Sequence, residues 1–458
     1  MSDAAERRPA HAEQALGFAR VVAIALPVVL SNALVPLQGA IDTAIIGNLG
    51  DATLLAAMTL GASAISLLFS SFNFLQMGVS GTTAQALGAS NMGRVANTLA
   101  RALLLAMVCA AGLILMQGPI VWAVLALFDA PEAAAGPAGS YIAIRLWGAP
   151  FELANYALMG WFAGQERTRR LFELQLVLSV GNVGMTLALV FGLGLGIEGI
   201  ALGTVIGHGL ALLYGLFRVR GRLREILPQG WQPNRARILD AAELGALLRL
   251  NRDILIRTLL LSLCFAWITR LSAQQGDLVL AANGILLQFF MVTTAGLDGF
   301  AMAAETLVGQ AVGARSARRM HRAARVSSIA AGVLACSFAL VLAIFSMDIV
   351  RLFTNVEAVR ETASAYVLWA ALIPIAGVAC FQLDGIFVGA AEGGAMRDAM
   401  IAVAAIFMPL GWVMTETLGN HGMWAAVWIF LALRAVLLGL RYPGLARRVA
   451  QGDTARQG

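Results

Sequence analysis

Twelve apolar stretches follow one another along the chain, each close to the roughly 20 residues that a helix needs to cross a bilayer. They lie near residues 18–47, 53–80, 95–117, 138–163, 171–192, 199–217, 250–272, 279–312, 324–347, 362–391, 397–418 and 422–440. The pattern predicts an all-α polytopic membrane protein with twelve transmembrane helices. In the first stretch, Leu34 to Gly50 (LVPLQGAIDTAIIGNLG), one ionisable residue, Asp42, interrupts the apolar run. A carboxylate there costs roughly 2.5 to 3.5 kcal/mol on insertion scales, which makes it a functional candidate. Pro27 and Pro36 lie on the same run, and each removes a backbone donor and favours a kink.

A shift of 225 residues lays the second half of the chain on the first. Gln85 then meets Gln310, Gly88 Gly313, Ala89 Ala314, Phe128 Phe353, Glu132 Glu357, Tyr141 Tyr366, Gly160 Gly385 and Gly164 Gly389. A shift of 226 pairs Gly50-Asp51 with Gly276-Asp277. These matches predict an N-terminal lobe over 1–225, an arginine-rich cytoplasmic linker over 226–249 and a C-terminal lobe over 250–458. Six spans is an even number, so the two six-helix repeats insert in parallel, about an axis along the membrane normal.

Composition agrees: 59% of residues are hydrophobic, 13% are charged and the mean hydropathy is +0.78, against about 25% charged in soluble domains. All basic residues are arginine. With the N-terminus placed in the cytoplasm, 27 of the 32 fall on inner segments, including Arg7, Arg8 and Arg456, and four on outer ones, leaving Arg434 in the last span. This bias predicts cytoplasmic N- and C-termini. The net charge of +6 therefore reflects topology and contact with membrane lipids, and calls for no nucleic-acid partner. The first fifteen residues have no apolar core or cleavage pattern of a removable signal peptide. Cys109, Cys264, Cys336 and Cys380 sit in apolar runs without CxxC spacing, so neither a disulfide framework nor a metal site is expected.

The polar residues inside the spans carry the candidate chemistry. The first half offers Gln38, Asp42, Arg145, Glu152, Asn155, Asn182 and His208; the second offers Asn251, Arg252, Asp253, Arg257, Gln288, Asp298, Glu305 and Asp384. Gln38 and Asp42 are four apart and share a face, as do Asp298 and Glu305 at seven apart. Asp253 and Arg257 read as an intrahelical ion pair. Each position has a structural alternative. Asp42 could hydrogen-bond a neighbouring helix, Asp298 and Glu305 could sit in a static network with Arg252 or Arg257, Asp384 could serve packing beside Gly385, and Asn155, Asn182 and His208 could be interhelical glue.

The block from 251 to 315, NRDILIRTLLLSLCFAWITRLSAQQGDLVLAANGILLQFFMVTTAGLDGFAMAAETLVGQAVGAR, resembles the DinF branch of the multidrug and toxic compound extrusion (MATE) transporters. So do PLQGAIDTAIIGNLG, LDGIFVGAAEGGAMRDAM and FGLGLGIEGIALGTVI, and the resemblance covers all twelve spans. It implies V-shaped lobes in the inner membrane and export of amphipathic or cationic compounds by cation antiport. It also matches Asp42 to the family's proton-responsive carboxylate, and Asn155 and Asn182 to polar positions of the same lobe. Some relatives carry an aspartate further along the fifth span, where this chain has Ala188.

The expected function is thus a proton-coupled, alternatively sodium-coupled, antiporter of amphipathic or cationic drugs, working as a monomer by alternating access. Asp42 is the coupling residue, and Gln38, Asn155, Asn182, Gln288, Asp298, Glu305 and Asp384 are substrate-binding candidates. Methionines such as Met58, Met77, Met159, Met185, Met291 and Met302 would supply an adaptable wall. A lipid-linked glycan flippase is the alternative, although its pyrophosphate cargo suits a more cationic cavity. No HExxH, GxSxG at a membrane face, Walker sequence or paired His/Cys set indicates an enzyme, and no cofactor is expected.

Overall fold

The computed structural model describes residues 17–457, with side chains through 452; the first fifteen residues, with Arg7 and Arg8, and the Arg456 side chain lie outside what it describes. The described backbone is mostly helical and holds no strand. In chain order the helices are α1 (Phe18–Gly47), α2 (Ala52–Ser70), α3 (Phe74–Gly88), α4 (Met92–Leu115), α5 (Gln117–Leu127), α6 (Glu132–Trp147), α7 (Ala149–Gly164), α8 (Thr168–Leu187) and α9 (Gly196–Ile226). The second half holds α10 (Arg235–Ile238), α11 (Ala241–Ala273), α12 (Asp277–Gly313), α13 (Ala317–Phe353), α14 (Glu357–Ala371), α15 (Ile373–Gly389) and α16 (Gly393–Gln457).

Among the described residues, ten helical stretches are long and apolar enough to cross a membrane. The last, Gly393–Gly452, breaks at Gly419, whose φ of 59° and ψ of −142° no helix accommodates, so it counts as two spans. Helices α6 and α7 together form the remaining span, less apolar because it carries Glu132, Arg145 and Glu152. The result is the twelve-helix, two-repeat layout that the hydrophobic pattern predicts. Helix is the form that satisfies its own backbone donors and acceptors where hydrocarbon offers none.

Two compact units emerge. One is Leu30–Leu248; the other joins the described part of Met1–Val29 to Arg249–Gly458. Helix α1 is therefore shared, its first turns packing with the second unit: Gly299 on α12 has room for no side chain against the Ala25 carbonyl and Val29.

Each unit is held by the same device. A Cβ on Gly160 would collide with the Gln76 carbonyl and one on Gly164 with the Ser80 carbonyl, so α7 lies directly on the backbone of α3. In the second unit Gly385 meets the Ala301 carbonyl and Gly389 the Glu305 carbonyl, placing α15 on α12 in the same way. The 225-residue offset maps all four contacts onto one another. Close backbone approach between small residues replaces the hydrophobic drive that lipid surroundings remove. The turns repeat too: Ser90 and Arg315 adopt φ of 57° and 55°, and Glu166 and Ala391 adopt 60° and 56°. These left-handed residues end helices where a further turn would overshoot.

Replacing Gly160 or Gly385 with valine should therefore destabilise the protein by roughly 1 to 3 kcal/mol, the usual cost of overpacking. Gly112, with open space around its Cα, should tolerate the same change. Melting temperatures of the purified variants in detergent test this; equal melting at Gly112 and Gly160 would remove the clamp.

Candidate functional site

In the first unit the candidates gather where α1, α6, α7, α8 and α9 converge. Asp42 on α1 is only 6% exposed, and its Oδ1 accepts no hydrogen bond from a described residue. Its charged neighbour is Arg145 on α6, and Tyr141, one turn earlier on that helix, lies within electrostatic reach of both. Arg145 donates through Nη2 to Glu152 Oε2 at 3.1 Å and stacks over Phe69 at 5.7 Å. The same Glu152 oxygen lies 3.5 Å from His208 Nε2, while the Tyr156 hydroxyl reaches Glu152 Oε1 at 3.5 Å. Asp42 thus stands at the edge of a buried network in which one guanidinium serves two carboxylates.

Asn155 and Asn182 lie in the same unit but face other partners. Asn155 Nδ2 donates to the His208 carbonyl at 2.9 Å, fixing α7 against α9. Asn182 Nδ2 donates to Thr204 Oγ1 at 2.7 Å, at the level where Gly203 and Gly207 let α9 approach α8. The Oδ1 atoms of both amides are buried and accept no hydrogen bond from described residues. Gln38, half-buried, accepts from the Ser179 hydroxyl at 3.3 Å, and Ser179 in turn accepts from Gln175 at 3.4 Å. Just past α8 the chain winds into a wider π turn over Ala188–Gly192, a distortion frequent at functional sites.

The second unit is organised differently. Asp384 on α15 accepts from Arg257 on α11 and, at 2.5 Å, from Arg434 on α16. Asp298 on α12, exposed at its side chain, feels the charges of Arg257, Arg434 and Asp384. Two arginines and two aspartates therefore form one electrically balanced group. Glu305 is buried at the α12–α15 contact, two turns from Asp298 but in a closed setting, and Gln288 is exposed. The expected Asp253–Arg257 pair does not form. Asp253 instead accepts from Arg252 at 2.9 Å and from Arg397 at 2.8 Å, because long guanidinium side chains reach across helices as readily as along them.

Several functional-looking groups escape sequence reasoning. Arg434 as a partner of Asp384, and Tyr141 and Tyr156 around Glu152, become visible only once helices distant in sequence are packed. So does a saturated amide cluster. Asn283 Nδ2 donates to Ser272 at 2.9 Å and Asn420 at 2.7 Å, and its Oδ1 accepts from Asn420 at 3.0 Å and Trp424 at 3.0 Å. A polar side chain inside an apolar run was its one sequence signal. Among the described residues no three His, Cys, Asp or Glu side chains are grouped to hold a metal ion.

Comparison with known proteins places this geometry in context. The MatE family model matches twice, over residues 27–188 and 254–415. DNA damage-inducible protein F of Escherichia coli (strain K12) is 38% identical over 421 residues, covering 91% of this chain and 90% of that protein. The probable multidrug resistance protein NorM of Agrobacterium fabrum is 29% identical, covering 89% of each. An outward-facing multidrug resistance MATE family transporter of the MOP superfamily superposes with a TM-score of 0.83 at 18% identity, covering 94% of this chain and 96% of that one; at that identity the likeness speaks for the fold.

The charge group of the second unit generates a stability prediction. Asp384→Asn leaves Arg257 and Arg434 without their carboxylate and should cost roughly 3 to 5 kcal/mol, as for a broken buried ion pair. Restoring balance by Asp384→Asn with Arg434→Met should recover a large part of that loss. Thermal melting of the single and double variants decides, and a double variant no more stable than the single would refute the charge-balance account.

Proposed function

The chain belongs to the MatE family of multidrug and toxic compound extrusion transporters, multi-pass membrane proteins and not enzymes, and on that premise we propose that it is a proton-coupled exporter of amphipathic or cationic compounds. The observation that carries the reading is the state of Asp42, a carboxylate buried in a spanning helix with one oxygen that has no hydrogen-bond donor among the described residues. An arrangement that leaves a membrane-buried acid so incompletely satisfied is costly, and serves better as a site that binds something than as glue.

Competition supplies the mechanism. Ionised Asp42 adds a second negative charge beside Glu152, with Arg145 the guanidinium between them. The surplus negative charge attracts a cationic substrate, or a proton, but not both. Protonation of Asp42 from outside removes that surplus, weakens the hold on the cation and leaves Arg145 to Glu152 alone. Helix α1 can respond because Pro27 and Pro36 each delete a backbone hydrogen bond along it. Asn155, Asn182 and Gln38 are the polar contacts we assign to substrate in this unit; Gln288 and Asp298, both exposed, are those of the second. Asp384 and Glu305 we read as supporting residues. A sodium ion in place of the proton requires several converging oxygens.

The balance of charge favours this reading over a flippase for pyrophosphate-linked glycans. The buried arginines Arg145, Arg257 and Arg434 already face the carboxylates of Glu152 and Asp384, which leaves little free positive charge in the interior of either unit for a polyanionic head group. We place the protein in the inner membrane with its arginine-rich side and both termini in the cytoplasm.

Proteoliposomes test the proposal with a fluorescent cationic dye under a pH gradient without sodium, and then under a sodium gradient alone. Wild type should export dye on the pH gradient, and Asp42→Asn should lower that rate about tenfold or more, within the range of typical coupling free energies. Undiminished pH-driven export by the variant moves coupling away from Asp42. Transport on sodium alone would replace the proton.

A further inference from the structure

We propose that each unit carries, at its arginine-rich end, a seat for the phosphodiester headgroup of an anionic phospholipid. In the first unit a cavity of about 350 Å³ opens beside the α7–α8 turn and the end of α9. Six arginines line it, among them Arg167, Arg220, Arg222 and Arg224. Two carboxylates occupy four of the six: Glu225 pairs with Arg167 at 3.0 Å and Arg222 at 2.9 Å, and Glu173 with Arg170 at 2.6 Å and Arg218 at 3.0 Å. Arg220 and Arg224 have no ion-pair partner among the described residues, and both are exposed. The cavity therefore has guanidinium charge to spare, in the planar, fork-shaped form that suits phosphate oxygens.

The second unit repeats the feature at the equivalent place. A cavity of about 550 Å³ is lined by Arg441, Arg447 and Arg448 with Glu392 and Phe387. Glu392 takes Arg448 at 2.6 Å, and Arg441 donates to the Ala395 carbonyl at 2.7 Å. Arg447 has no ion-pair partner among the described residues. The 225-residue offset carries Phe162 onto Phe387 and Arg222 onto Arg447, and each cavity adjoins one of the matched left-handed turns at Glu166 and Ala391. Two lobes that have diverged in their buried charges have both kept a basic hollow here.

What surrounds the hollows points to lipid and not to a soluble anion. Leu213, Phe217, Arg220 and Arg224 follow one another at spacings of four, three and four, so they form one stripe along α9. Its apolar half is 68% exposed at Leu213 and 69% at Phe217. Val436, Leu440, Pro443 and Arg447 have the same spacing on α16, with Val436 54% and Leu440 73% exposed. An acyl chain lying along the apolar half brings its phosphate to the guanidinium half, the arrangement expected of basic pockets at the membrane boundary.

Native mass spectrometry of the full chain in detergent tests the proposal, with phosphatidylglycerol, phosphatidylcholine of the same acyl chains, or glycerol phosphate as probes. Two phosphatidylglycerol molecules should be retained in preference to phosphatidylcholine. Arg220→Gln and Arg224→Gln should each weaken one of them about fivefold, and Arg447→Gln the other by about the same factor. Arg169→Gln, on a side chain 87% exposed that does not line the cavity, should change nothing. Equal retention of phosphatidylcholine, an equal effect of Arg169→Gln, or unchanged retention in the cavity variants would each overturn the sites. Binding of glycerol phosphate without any preference for phosphatidylglycerol would overturn lipid as the occupant.

Discussion

A charge inside hydrocarbon has to be matched within a few ångströms or left at heavy cost, and the interior of this transporter is arranged around that constraint. Asp384 is met by two guanidiniums from two other helices, Glu152 by a guanidinium, a tyrosine and a histidine. These groups tie together helices far apart in sequence, and they set which faces turn inward. Asp42 is matched less fully: an arginine nearby, already bonded to another acid, and a carboxylate oxygen with no donor among the described residues. The unmatched atoms extend beyond it to Arg145 Nε, His208 Nδ1 and the Oδ1 atoms of Asn155 and Asn182, so the polar group around Asp42 as a whole is under-satisfied among the described residues.

The scaffold that holds these groups depends on a second, purely steric feature. At the paired glycines of α7 and α15 one helix lies on the carbonyls of the next, closer than any side chain permits. Such contacts need no apolar solvent effect and so work in lipid. They also leave α3 and α12 little freedom to slide, which fixes the depth of Glu305 and, through it, the position of Asp298 two turns away.

Legibility from sequence followed the range of the interactions. Span number and the repeat could be read because length, hydropathy and recurrence are properties of contiguous residues. The borders shifted where helices run past their apolar segment, as α11 does by starting at Ala241, whereas the break between the last two spans falls at Gly419, in the gap between the apolar stretches 397–418 and 422–440. Asp42 could be singled out for the same local reason: it is an acid in an apolar run. The partners could not. The spacing of Asp253 and Arg257 suggested a pair along one helix, yet both side chains reach sideways, one to Arg397 and the other to Asp384. Spacing reports which residues share a face, not which face meets which.

The repeat itself sharpens the contrast between shape and charge. Carried across the 225-residue offset, the clamp glycines and left-handed turns land on their counterparts, but the buried ionisable groups of the candidate sites do not: Asp42 falls on Trp267, Glu152 on Gly377, Arg145 on Ala370, Asp384 on Met159 and Glu305 on Ser80. Two copies of one helical frame have thus been given different electrostatics. In the first unit two carboxylates share one guanidinium; in the second two guanidiniums face two carboxylates. A unit with surplus negative charge changes its net charge when it takes up a proton or a cation, and its packing must answer that change. A balanced group has no such surplus to offset. The frame is thus common to both halves, and the buried charge that distinguishes them is set residue by residue inside it.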